Sequence, residues 1–280
     1  MNSLIGALII TMSLGGITPG TVPEEPSDFM PQIEEDGTLV FGPTKAEKEA
    51  EAKRIAEEEA RKAEEERLRK EEEERKAKEE AMKNPENLNY DHDIASCTTY
   101  YSVSAGNANR NYNMELASEA INGLILKPGD EFSYNDVILS HRTPERDYKP
   151  AGVISGGKIV NAIGGGICQV SSTLYNAALY SGMTITERRN HSLKVGYLPA
   201  GMDATASWGT IDFCFRNDLE VPVKIDSYVK DGVMKIRFLS PGDPNIGNIE
   251  LKVTQYNGVY TLHRYVDGVE DYTANSVYRG

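Results

Sequence analysis

The chain has 280 residues, with 43 acidic and 30 basic side chains and a formal net charge of −13. Residues 1–23 carry no charge, 24–44 carry six acids and no base, 45–84 carry fifteen acids against thirteen bases, and 85–280 keep a net −5. The acidity is therefore concentrated near the N-terminus, and with no basic patch or arginine–aromatic interleaving the composition speaks against a nucleic-acid partner.

In chain order, the apolar run L-I-G-A-L-I-I-T-M-S-L-G-G-I at 4–17 ends at Thr18, Pro19 and Gly20. Its length suits the hydrophobic region of an export signal and is short of the roughly 20 apolar residues of a spanning helix. A signal peptide or membrane anchor is expected over 1–20, and it is the chain's one expected contact with a membrane. Residues 21–44 are rich in proline and acid and read as a disordered linker. Residues 45–84 have the composition of one long charged helix. Glu57 and Arg61, Glu58 and Lys62, Glu66 and Lys70, and Glu71 and Arg75 stand acid-then-base four apart, the favourable order for pairing. Ile55, Leu68 and Met82 keep no heptad, so a solvated stalk of about 60 Å is expected rather than a coiled coil. Asn84 and Pro85 stop it.

A globular domain is expected over 87–242 and a small β appendage over 243–280. Residues 112–124 read as a helix with Leu116, Ala117, Ala120, Ile121 and Leu124 on one face. A hairpin is expected between 148 and 160 around Ser155, Gly156 and Gly157, then a helix over 168–180. Strands follow near 184–190, 193–197, 205–216 and 221–228, with a hairpin turn at Asp231-Gly232 and further strands around Val266, Asp267 and Gly268. The fold class is α+β, a mixed or antiparallel sheet packed with a central cysteine-bearing helix and preceded by the charged helix.

The chemistry concentrates in 164–192. Gly164, Gly165 and Gly166 lead into Cys168 at the start of a helix, where the backbone dipole and unpaired amides favour thiolate over thiol. The β-type segment that follows delivers His191. A thiolate beside an imidazole is the minimum apparatus for nucleophilic acyl transfer. Asp203 and Asp212 are the nearest downstream acids for orienting the ring. Asp212 is preferred, because the alternation of Ile211, Phe213 and Phe215 sets it in the middle of an apolar strand, where an unpaired acid is costly. Cys168, His191 and Asp212 are thus the expected catalytic residues. Gly164, Gly165, Gly166, Gln169, Ser171, Ser192 and Arg142 are the expected substrate-binding ones, with an oxyanion donor near Gly166 or Gln169. Cysteine helix, histidine strand and aspartate strand follow one another as in transglutaminase- and papain-like cores, by analogy of arrangement. Cys97, Cys168 and Cys214 are an odd number without close spacing; a Cys97–Cys214 bridge would leave Cys168 free, and no pairing follows from the sequence. No zinc spacing occurs, and no metal or cofactor is called for.

Over about 94–240 the chain resembles the VanW family, named after an accessory protein of B-type glycopeptide-resistance clusters. The resemblance rests on A-S-E-A-I-N-G at 117–123, K-P-G-D-E-F-S-Y-N at 127–135 and R-T-P-E-R-D-Y-K-P-A at 142–151. It rests also on G-G-G-I-C-Q-V-S-S-T-L-Y-N-A-A-L at 164–179, E-R-R-N-H-S at 187–192 and G-M-D-A-T-A-S-W-G-T-I-D-F at 201–213. The resemblance implies an exported, cell-wall-facing protein of a Gram-positive-type bacterium; it brings no settled reaction. Two functions are expected to compete: cysteine-dependent acyl transfer or amide hydrolysis on peptidoglycan peptides, and a non-catalytic module that binds peptidoglycan or its stem peptides in resistance or wall maintenance.

Overall fold

In a computed structural model of the chain, the described residues are 45–279 together with 32, 33, 35, 39, 40 and 43. The expected signal or anchor at 1–20 lies outside them, as does most of the linker. The chain divides into two compact units, 1–71 and 72–280. In the first, β1 (Gln32–Ile33) pairs antiparallel with β2 (Leu39–Val40). Helix α1 (Lys45–Lys83) crosses the boundary between the units. Glu58–Lys62 and Glu66–Lys70 pair along it, while Arg61 and Arg75 turn instead to Glu65 and Glu79. These pairs are exposed, and each contributes little. Among the described residues no helix is long and apolar enough to cross a membrane.

The second unit is mixed α+β, with several antiparallel sheets and few helices. Its strands and helices run β3 (His92–Tyr100), α2 (Ala108–Ile121), β4 (Ile125–Leu126), β5 (Glu131–Ser133), α3 (Tyr134–Leu139) and α4 (Pro144–Asp147). They continue with β6 (Pro150–Ser155), β7 (Lys158–Ile163), α5 (Ile167–Tyr180), β8 (Thr184–Glu187) and β9 (Cys214–Arg216). Last come β10 (Val223–Lys230), β11 (Val233–Ser240), β12 (Ile249–Tyr256), β13 (Val259–Val266) and β14 (Val269–Val277).

The main sheet has the order β3-β11-β10-β4. Its centre is the β10–β11 hairpin, whose Asp231-Gly232 turn holds both residues at positive φ, 53° and 83°. A turn of that hand matches the twist of the strands it joins. Strand β11 alternates strictly, burying Met234, Ile236 and Phe238. Those side chains, with Val223 and Ile225 of β10, meet Val170, Leu174, Ala177 and Ala178 of α5 and Met114, Ala117 and Ile121 of α2 in one core. Leu116 and Ala120 reach that core only partly and Leu124 lies past the helix end, so α2 is rotated toward Met114 relative to the expected face. Two smaller sheets, β5-β9-β8 and β12-β13-β14, and the hairpin β6-β7 complete the unit.

Two expectations need correction, and one strand is additional. Residues 193–197 form no strand. The expected strand 205–216 survives only as β9, after an isolated Ser207–Ile211 bridge. The upstream stretch instead satisfies its backbone from α5: Ser171 and Ser172 both bond Ala204 O, and Asn176 bonds Met202 O. Strand β3 went unread because it lies at a sheet edge, where its burial does not alternate cleanly.

Candidate active site

Helix α5 is buried on nearly every side, and this is what gives its first turn a fixed position. Apolar side chains hold it to the main sheet, while Ser171, Ser172 and Asn176 bind the 202–204 loop on the other side. The three preceding glycines are required by packing. A Cβ on Gly164 would lie 2.2 Å from the Trp208 ring, one on Gly165 2.5 Å from the Ala151 backbone, and one on Gly166 2.8 Å from Arg110 O. Gly164 and Gly166 also hold φ of +82° and +109°, a region where side chains are disfavoured. The run is a tightly fitted entry to the helix, not an open cradle for substrate.

Cys168 stands second in α5 and is partly exposed. Its thiol donates to Ala206 O at 3.3 Å and lies 3.7 Å from Thr205 Oγ1, and the His191 ring acts on it electrostatically. His191 is buried, and its Nδ1 lies 2.7 Å from Asp203 Oδ2, the same oxygen that accepts from the His191 backbone N–H at 2.7 Å. With Nδ1 tied to the carboxylate, Nε2 is the nitrogen left for the sulfur. Tyr278 donates from its hydroxyl to the other carboxylate oxygen, and Arg188, 3% exposed, stands 3.6 Å from it.

These contacts set the charges. Burial raises the Cys168 pKa, but the hydrogen bond and charge of His191, together with Ala206 O and Thr205, outweigh it and bring the thiol below its ordinary value. Burial works against protonated His191 too, yet Asp203 and Cys168 together raise the ring to about 9. Asp203 is opposed by burial and held below the usual carboxylate range by its bonds to His191 and Tyr278. Both shifts favour the thiolate–imidazolium form of the pair, backed by a carboxylate. The other two thiols move the opposite way, Cys97 to about 11 through burial and Cys214 to about 12 through burial and the Asp212 charge. All three cysteines are free thiols, so the Cys97–Cys214 bridge is not made.

Of the expected site residues, Cys168 and His191 come together and Asp212 does not join them. The Asp212 carboxylate is taken up by Ser133 Oγ at 2.5 Å, Asn135 N at 2.9 Å and Phe213 N at 2.7 Å. Asp203 takes the place beside the ring. Its loop position gives no sign in the sequence that it is fully buried; burial, not strand membership, makes an acid need partners. The expected binders are also reassigned. Gln169 is buried, with its amide group bonded to Thr99, Tyr100 O and Arg110, and its backbone N–H spent on Gly166 O. It can therefore serve neither substrate nor oxyanion. Ser171 is fully buried against Ala204 O. Ser192 accepts from Gly157 N at 3.1 Å, and Arg142 pairs with Glu119 at 3.2 Å. Tyr278, Arg188, Arg110 and Thr205 are the site residues that sequence reasoning missed.

Residues 109–239 match the family model described as VanW like protein. The chain is 41% identical over 147 residues to an uncharacterized protein, YoaR, of Bacillus subtilis (strain 168), spanning 52% of this chain and 48% of that one. It is 35% identical over 122 residues to the vancomycin B-type resistance protein VanW of Enterococcus faecalis (strain ATCC 700802 / V583), spanning 42% of this chain and 44% of that one. The chain thus spans about half the length of either relative. No solved structure matches it.

Proposed function

We propose, on the premise that residues 109–239 of this chain form a VanW-like domain, that the domain is a cysteine-dependent acyl-transfer catalyst acting on peptide or amide bonds of the bacterial cell wall. One observation carries this reading. Of three free thiols, the only one held below its ordinary pKa is the one that opens a buried helix, and what lowers it includes a histidine tied to a buried aspartate. That is the arrangement of an activated nucleophile with an oriented base.

The Cys168 thiolate attacks the carbonyl carbon of the scissile amide, forming a C–S bond. The oxyanion that develops points to the Cys168 N–H, in the first turn, where helical bonding leaves amides open. Imidazolium His191 gives its Nε2 proton to the amide nitrogen, and the C–N bond breaks to release the amine and leave a thioester. Water or a second amine then attacks the thioester. Neutral His191 takes the proton from this acceptor, and the C–S bond breaks to regenerate the thiolate. Asp203 fixes the ring and stabilises its charged form throughout.

The wall as substrate is supported by the relative named for vancomycin resistance and by the export-like segment and charged helix that precede the domain in sequence. In this reading 1–20 exports or anchors the protein at the cell surface, and 45–84 spaces the domain from it. Purified cell wall treated with wild-type protein or Cys168→Ala and resolved into muropeptides gives the test. New or lost peptide cross-links or stems are expected with wild type alone. Matching profiles would leave the wall-binding module as the function.

A further inference from the structure

Among the described residues Arg110 has no carboxylate partner. Its Nη2 donates to Gln169 Oε1 at 2.7 Å and its Nη1 to Met114 Sδ at 2.8 Å, both neutral partners. Burial depresses its pKa, and the charges that bear on it are those of Cys168 and Tyr197. A desolvated guanidinium held only by neutral acceptors is costly unless something anionic completes it.

Space for that anion is at hand. Arg110 lines a cleft of about 600 Å³ whose wall also includes Asn107, Asn109, Gly152 and Asn161. Asn109 and Asn161 offer amide groups, and no Asp, Glu or Lys side chain lines the cleft. The cleft borders the glycine entry of α5. Arg110 O would meet a Cβ on Gly166 at 2.8 Å, and Ala151, also a lining residue, would meet one on Gly165 at 2.5 Å. A cation and amide donors thus stand next to the nucleophile's helix end.

We infer that Arg110 is the carboxylate-binding residue of this cleft, and that the substrate is a peptide carrying a free carboxylate close to the carbonyl that Cys168 attacks. The inference rests on Cys168 as the nucleophile. A guanidinium presents paired N–H donors that match a carboxylate, and its remaining donors are free to do so here. The cation would also favour an acidic over a neutral peptide, because the neutral one would leave the half-buried Arg110 without a carboxylate partner.

Two haloacetyl reagents test it on the full chain carrying Cys97→Ala and Cys214→Ala. Iodoacetate brings a carboxylate to the thiol, and iodoacetamide is its neutral counterpart. The ratio of their rates at Cys168 is expected to fall about tenfold in Arg110→Gln and to recover in part in Arg110→Lys, which keeps the charge without the fork. With Arg110 intact, N-acetylalanine is expected to protect Cys168 from iodoacetamide better than N-acetylalaninamide does. This second measurement needs no variant at Arg110. An unchanged ratio in Arg110→Gln, or equal protection by acid and amide, would overturn the inference. Failure of the nucleophile reading looks different: both reagents would react slowly at neutral pH, with a midpoint near an ordinary thiol's about 8.5.

Discussion

At the scale of single residues, the site is a charge arrangement, and its pH behaviour follows. Cys168 should alkylate at lower pH than an ordinary thiol, while Cys97 and Cys214, pushed to about 11 and about 12, stay slow. Mass mapping of alkylated peptides across a pH series checks this, and His191→Ala should move the Cys168 midpoint up to the ordinary range. Activity that needs imidazolium should decline as pH rises through about 9, the value of the folded ring. The same shift is linked to stability. Because the folded pKa of His191 is raised, its contribution is full below the unfolded value of about 6.5 and is lost as pH climbs from there to about 9. Asp203 is depressed, so its contribution is present above the ordinary carboxylate value and is lost in acid as pH falls through its lower folded one. The two aspartates separate cleanly. Asp203→Asn should raise the Cys168 midpoint and cost about 3 kcal/mol by breaking a buried charge cluster. Asp212→Asn should leave the midpoint in place, because its partners belong to the start of α3 and to β9.

At the scale of elements, α5 is a rigid mount whose approach is sterically fitted. Gly164→Ala would force a methyl group to 2.2 Å from Trp208 at a φ of +82°. A destabilisation of about 3 kcal/mol is expected in denaturant melts, from overpacking and left-handed strain together. Much of this level is legible in the sequence. The helix 167–180 and the hairpins at Gly156-Gly157 and Asp231-Gly232 announce themselves by apolar period and turn chemistry. The stretch 193–213 does not, because its shape is set by hydrogen bonds from Ser171, Ser172 and Asn176 on a distant helix. Cys168 and His191 are readable from glycine run and spacing, whereas Asp203 is hidden by the same loop. Local pattern cannot show that a loop acid is fully buried.

At the scale of the whole second unit, the last three strands are fastened to the site as well as to each other. Tyr278 reaches Asp203, Asn190 and Arg188 bond Val277 O and Asn275 O, and Arg279 N bonds Ser192 O at 2.7 Å. At the far end of α5, Arg264 bonds Leu179 O and Met183 O while paired with Asp271. Residues beyond 239, outside the family match, therefore hold the C-terminal end of α5 and the aspartate beside His191. Tyr278→Phe should keep the fold, lower the His191 pKa or raise that of Cys168, and slow alkylation at neutral pH; an unaltered pH–rate curve would show that the hydroxyl does not position Asp203. No sequence pattern announces this link, which joins positions 75 residues apart in the chain.

Trp208 gives the fitted glycine entry a practical use. It is the chain's single tryptophan, it packs on Gly164 with Tyr148 at 5.1 Å, and its buried indole N–H has no hydrogen-bond partner among the described residues. Its emission therefore reads out the environment four residues from the reactive sulfur. Stopped-flow fluorescence can test, with no added label, for the ligand arrival and thioester formation that the proposed function requires.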